Sequence, residues 1–183
     1  YAHCRLVTFA GPMVAGQVGS GLDPLSEEWF TKALTEPFAG RNLLPQGLAV
    51  RVVRQGHARG PLIGGCLSLV TALLGTRHVP DFQGAVLFLE DVNEPAYRID
   101  RMLTHLKLAG VLDRVAGIVL GHFSRNGRAE LSDEAADILA GLLGDRRIPV
   151  LAGFPHGHVL PNLTIPHGAT VQLATDPPLL VVA

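Results

Sequence analysis

Two acids and three histidines carry most of the chemistry this sequence can offer. Each group sits where a predicted strand gives way to a loop. Glu90 and Asp91 close the apolar run AVLFLED. A carboxylate on the last residue of a buried strand is costly unless a partner meets it. That partner is either a hydrogen-bond donor of the following loop, a histidine that the acid orients, or a metal. His156, His158 and His167 lie in GFPHGHVLPNLTIPHG, a Gly- and Pro-rich loop. Loops held by a rigid scaffold are where reactive side chains usually sit. An acid–base histidine is one reading of this loop, and structural or solvated histidines are another. Zinc is a third, weakened because a catalytic zinc site needs three ligands and an ordered second shell. Neither Cys4 nor Cys66 is near these histidines in sequence. Asn162 opens a formal glycosylation acceptor, which means little without a secretory signal.

A third place is GHARGPLIGGCLSLV, where Gly64 and Gly65 precede a predicted helix. Amides at such a helix start can receive an anion or oxyanion, and close packing of helix on strand explains the glycines equally well. The stretch lacks the lysine of a phosphate-binding loop and the glycine spacing of a dinucleotide site. No serine qualifies as a nucleophile. Gly-x-Ser-x-Gly, the strained strand-to-helix elbow, does not occur. Ser68 falls inside an apolar helix and Ser124 in GHFSRNG, whose spacing makes no elbow. The residues thus offer a Glu–His pair without the group it would activate.

The elements that must position these groups alternate. Strands are expected at residues 6–9, 48–53, 85–91, 117–123 and 148–154, and two more in the tail ATVQLATDPPLLVV, joined by a turn at Asp176, Pro177 and Pro178. Asp23 should cap a helix that starts at Pro24 and runs to about Phe38. Gly56, Gly60, Pro61, Gly64 and Gly65 should break the chain before a buried helix ending at Gly75. Ile99, Met102, Leu103 and Leu106 fall at helical spacing. Ser132 should cap a helix reaching Leu143. The fold class that follows is α/β, a mixed sheet with parallel pairs and flanking helices.

Composition narrows the function classes. The chain has 183 residues, 15 basic and 16 acidic, and a net charge of −1. Without clustered Lys and Arg, a nucleic-acid partner is not expected. No apolar run reaches the roughly 20 residues that cross a bilayer, so no membrane partner is expected. Two cysteines suggest no disulfide framework, and the expected setting is cytoplasmic. The opening YAHCRLVTFAGPM reads like the middle of a protein, so a preceding segment is expected.

Four segments, GPLIGGCLSLVTALLGT, LFLEDVNEPAYRIDRMLTHLKLAG, GIVLGHF and PVLAGFPHGHVLPNLTIPHGA, resemble the LD-carboxypeptidase family in order and spacing. That family includes muramoyltetrapeptide carboxypeptidases and microcin-immunity peptidases. The likeness extends over about residues 6–173. It implies a swivelling β/β/α-type C-terminal domain at residues 41–183, with residues 1–40 a remnant of a flavodoxin-like N-terminal domain and its linker. By motif, the catalytic pair is Glu90 and His158. The nucleophilic serine belongs to the N-terminal domain, which would precede Tyr1. The resemblance also implies serine-type hydrolysis of a murein peptide that releases D-Ala in peptidoglycan recycling, without cofactor or metal. This chain alone would then be inactive, a partner of the missing domain and a homo-oligomer, in keeping with a dimer. A non-catalytic binding or immunity-type module of the same fold is the alternative. Cys66 stands where the family usually has Asn, and Ala10 where a His usually precedes Gly-Pro-Met.

Overall fold

A computed structural model describes residue 4 and residues 6–183, so the opening strand expected at residues 6–9 falls within the described residues. Seven strands form one mixed sheet in the order β2 (Arg51–Arg54), β6 (Val150–Ala152), β5 (Gly117–Ser124), β4 (Val86–Val92), β3 (His57–Cys66), β8 (Thr170–Thr175) and β9 (Pro178–Val182). β3, β4, β5 and β6 run parallel, and the outer strands β2, β8 and β9 pair antiparallel. A separate ribbon joins β1 (Thr8–Ala10) to β7 (Ile165–His167). The α/β mixed sheet expected from the sequence is therefore present.

The parallel strands are apolar on both faces, as strands covered on both sides must be. On one face, Leu87 and Leu89 of β4 pack with Ile118 and Leu120 of β5. α2 (Leu67–Ala72), α3 (Ala96–Leu108), α4 (Val111–Arg114) and α5 (Ser132–Leu143) cover them through Leu67, Ile99, Leu103, Val111 and Leu139. On the other face, Val86 and Phe88 pack with Val119, Leu151, Phe154 and Leu163. Trp29 of α1 (Pro24–Thr35) joins that second cluster. Alternation along β4 therefore sends Glu90 to the face of Phe88, and Asp91 to the helical face. Two adjacent acids part company because a strand has period two.

Several boundaries differ from the sequence reading, each for a physical reason. β1 covers residues 8–10, because its register is set by β7, which the sequence did not signal. α1 stops at Thr35, and Glu36 turns extended at φ −130° ahead of Pro37, where the proline ring disfavours helix. β2 begins at Arg51, within the strand expected at residues 48–53 and opposite Ala152. The expected break across Gly60, Gly64 and Gly65 does not occur, and β3 is a continuous strand of 10 residues. Two of its glycines are needed for close approach: a Cβ on Gly60 would lie 2.0 Å from the Gly84 carbonyl oxygen, and one on Gly64 1.8 Å from that of Phe88. Ser132 opens α5 without capping it, and its hydroxyl instead accepts the Phe123 N–H at 3.0 Å, fastening the helix to β5. Asp23 caps α1 as expected, accepting from the Leu25 and Ser26 amides at 3.1 Å each. Among the described residues no helix is long and apolar enough to cross a membrane.

Candidate active site

The C-terminal ends of β4 and β6 lie on one edge of the sheet, where α/β folds gather their sites. Glu90 ends the apolar stretch of β4 and is 5% exposed. The loop after β6 turns back over that edge and brings His158 to it. His158 Nδ1–H donates to Glu90 Oε2 at 2.8 Å, across 68 positions of sequence. The imidazole itself is 41% exposed, so the acid is sealed in while its partner reaches solvent. With Nδ1 committed to the carboxylate, Nε2 is the nitrogen left to take a proton. Burial pushes the Glu90 carboxyl above its ordinary range, and the hydrogen bond and charge of His158 oppose that rise.

Two glycines make room for the pair. A Cβ on Gly121 of β5 would lie 2.6 Å from the His156 carbonyl oxygen and 3.1 Å from Glu90 Cβ. Gly157 adopts φ +142°, a glycine-favoured conformation, and a Cβ there would stand 3.2 Å from Glu90 Oε2. Gly121→Ala is therefore expected to cost about 2 kcal/mol, the scale of overpacking a close-packed interior. Denaturant unfolding measures the loss, and an unchanged midpoint would contradict it.

The other histidines serve the scaffold. His156 is buried, and its Nδ1–H donates to the Leu163 carbonyl at 2.6 Å. Its ring meets Phe88 edge-on at 5.0 Å. Burial lowers its pKa to about 4, so it stays neutral at neutral pH. His167 lies on β7, and its Nε2 accepts the Gly64 N–H at 3.3 Å. Neither meets Glu90. No group of three or more His, Cys, Asp and Glu side chains is placed to hold a metal among the described residues.

Asp91, the second acid of the pair, receives the Ser68 N–H at 2.8 Å and the Cys66 thiol at 3.3 Å. It thus caps the start of α2, the bland role for a strand-end acid. Burial, with Asp91 adding to it, pushes the Cys66 thiol up, which keeps it protonated and a poor nucleophile. Gly64 and Gly65 belong to β3 and the helix behind them begins at Leu67, so the expected glycine entry to a helix is a strand crossing instead.

Glu90, His156, Gly157 and His158 line a pocket of about 300 Å³ with Phe9, Met13, Gln17 and Asn162. Sequence reasoning missed Gln17, and it read Asn162 only as a glycosylation acceptor. No serine lines this pocket among the described residues. Ser68 is tied to Asp91, and the Ser124 hydroxyl is buried away from any partner.

Fold and pair together define an α/β domain that carries a carboxylate-oriented histidine at the C-terminal edge of its parallel strands. Residues 59–173 match the LD-carboxypeptidase C-terminal domain, and the chain belongs to that family. The murein tetrapeptide carboxypeptidase of Pseudomonas aeruginosa is 31% identical over 173 residues, 88% of this chain and 56% of that protein. The microcin C7 self-immunity protein MccF of Escherichia coli is 30% identical over 202 residues, 96% of this chain and 58% of that one. The wild-type apo structure of MccF superposes with a TM-score of 0.84 at 28% identity, over 100% of this chain and 62% of that chain. The muramoyltetrapeptide carboxypeptidase of Oxalobacter formigenes gives 0.76 at 29% identity, over 95% and 60%. The chain spans about half the length of the curated relatives it matches.

Proposed function

We propose that this chain supplies the acid–base half of a serine-type LD-carboxypeptidase acting on murein peptides in the cytoplasm. The observation that carries the proposal is the 2.8 Å contact between His158 Nδ1–H and Glu90 in a pocket that no serine of the described residues lines. The names of two relatives, a murein tetrapeptide and a muramoyltetrapeptide carboxypeptidase, support the substrate class. The nucleophile would come from a flavodoxin-like domain corresponding to the part of the relatives that this chain does not span, with residues 1–40 leading in from it. The serine Oγ would bond to the carbonyl carbon before a terminal D-amino acid while His158 Nε2 takes its proton. His158 would then return that proton to the departing amine as the C–N bond breaks, and water would release the acyl group by the same route. Glu90 would keep Nδ1 protonated and stabilise the imidazolium.

Phe9 and Met13, on the rim of the pocket, and the neighbouring Val14 are 51%, 60% and 70% exposed. Such an apolar rim fits a face that a second domain covers, and we propose that the isolated chain self-associates through it. The test of function is D-Ala release from a murein tetrapeptide. The chain alone is expected to release none. A chimera that joins it to the preceding half of the Pseudomonas aeruginosa relative is expected to turn over. Release by the chain alone that is lost in Ser68→Ala or Ser124→Ala would overturn the proposal.

A further inference from the structure

The turn that carries His158 is held by an amide network that reaches well beyond the pair. The peptide plane between His156 and Gly157 is locked at both ends. Its carbonyl accepts the His122 N–H of β5 at 2.9 Å, and its N–H donates to Asn162 Oδ1 at 3.2 Å. That plane sets the direction in which the chain leaves Gly157, one residue before His158. Gly157 at φ +142° has little intrinsic preference for this geometry, so outside contacts must impose it.

Asn162 is built for that task. It is 3% exposed, and its carboxamide cannot turn over without losing both partners. Oδ1 takes Gly157 N–H, and Nδ2 donates to Gln17 Oε1 at 2.8 Å. Its own N–H donates to Ser26 Oγ at 2.8 Å. Ser26 is fully buried on α1, and its hydroxyl donates to Asp23, the residue that caps that helix. Gln17 Oε1 also accepts the Met13 N–H at 3.3 Å.

We infer that Asn162 is a positioning residue for His158: by fixing the Gly157 amide it presents the imidazole to Glu90 with Nδ1 protonated and Nε2 free. The network also ties the pair to residues 13–26, so a movement of that segment is transmitted to the imidazole. The relevance of this role to turnover rests on the acid–base reading of the pair. The test therefore reads the imidazole and not the reaction.

Histidine-labelled protein gives the tautomer of His158 from long-range proton–nitrogen correlations, and the exchange rate of its Nδ1–H. In the native chain the Nδ1–H form should dominate. In Asn162→Ala the Nδ1–H should exchange at least tenfold faster, and the other tautomer should become visible. Asn162→Asp keeps an acceptor for Gly157 N–H, and Gln17 can turn its amide to meet it, so the native signature should return. Should Asn162→Ala fail to fold, Asn162→Ser gives the same reading, since its hydroxyl is too short to reach Gly157. A folded Ala or Ser variant with native tautomer and exchange rate would overturn the inference. So would an Asp variant that behaves like Ala. Either result leaves the proposed reaction standing, whereas a chimera with unaltered Asn162 and the Nδ1–H form of His158 that releases no D-Ala would strike at the reaction alone.

Discussion

Glu90→Gln in the chimera is expected to lower D-Ala release by about 10⁴-fold, the scale seen when the acid of a Ser-His-Asp triad becomes its amide. The amide is nearly isosteric, so the pocket should keep its shape. What changes is charge. A neutral side chain cannot stabilise an imidazolium, and its NH₂ can face Nδ1 and hold the wrong tautomer. The same substitution should raise the melting temperature of the isolated chain at pH 7. The folded-state pKa of Glu90 lies above its unfolded value, because burial disfavours the charged form. The folded chain therefore binds this proton more readily than the unfolded one. Stability from this group is full below the unfolded pKa and is lost as pH rises through the folded pKa. Glutamine mimics the protonated form throughout, so its advantage at pH 7 should vanish below about pH 4, under the ordinary glutamate value. Lost turnover with gained stability would mark Glu90 as a group kept for chemistry at the fold's expense. Near-native turnover in this variant would contradict its role.

His156 should make the fold acid-labile. Its pKa falls from 6.5 to about 4 on folding, so the unfolded chain takes up this proton first as pH drops. The stability that neutral His156 contributes is present above pH 6.5 and is lost as pH falls towards 4. One pKa unit is worth about 1.4 kcal/mol, so the loss amounts to about 3 kcal/mol. His122 and His167 are shifted the same way by burial and steepen the slope. Urea unfolding at a series of pH values measures it. His156→Asn keeps a donor for the Leu163 carbonyl and carries no titrating group. It should be less stable at pH 7, having lost the ring against Phe88, yet flatter between pH 6.5 and 4. A variant with the native slope would show that another group drives the acid transition.

How far these features could be read from sequence depends on how local their causes are. The parallel core was legible because strands buried on both faces must be continuously apolar, as 85–89 and 117–121 are. Glu90 stood out for the same reason, as a charge at the end of such a run. The bottom-up reading left its partner open among three histidines, and only the family motif singled out His158. Gly60 and Gly64 of β3 were misread because what excludes their side chains is distant backbone, that of Gly84 just before β4 and of Phe88 within it, invisible in a local window. β7 was missed because three residues with a proline, Pro166, at their centre carry no periodic signal. Asn162 looked like a surface acceptor because its partners Gln17 and Ser26 lie 145 and 136 positions away.

The central claim is that His158, held by Glu90, moves the proton, while His156 does not. Its most direct test is the tetrapeptide assay on the chimera with each histidine replaced in turn. His158→Ala should abolish D-Ala release in a protein that is still folded, and His156→Asn should retain most of it at neutral pH. Release that survives His158→Ala would contradict the account, as would loss confined to a folded His156→Asn variant.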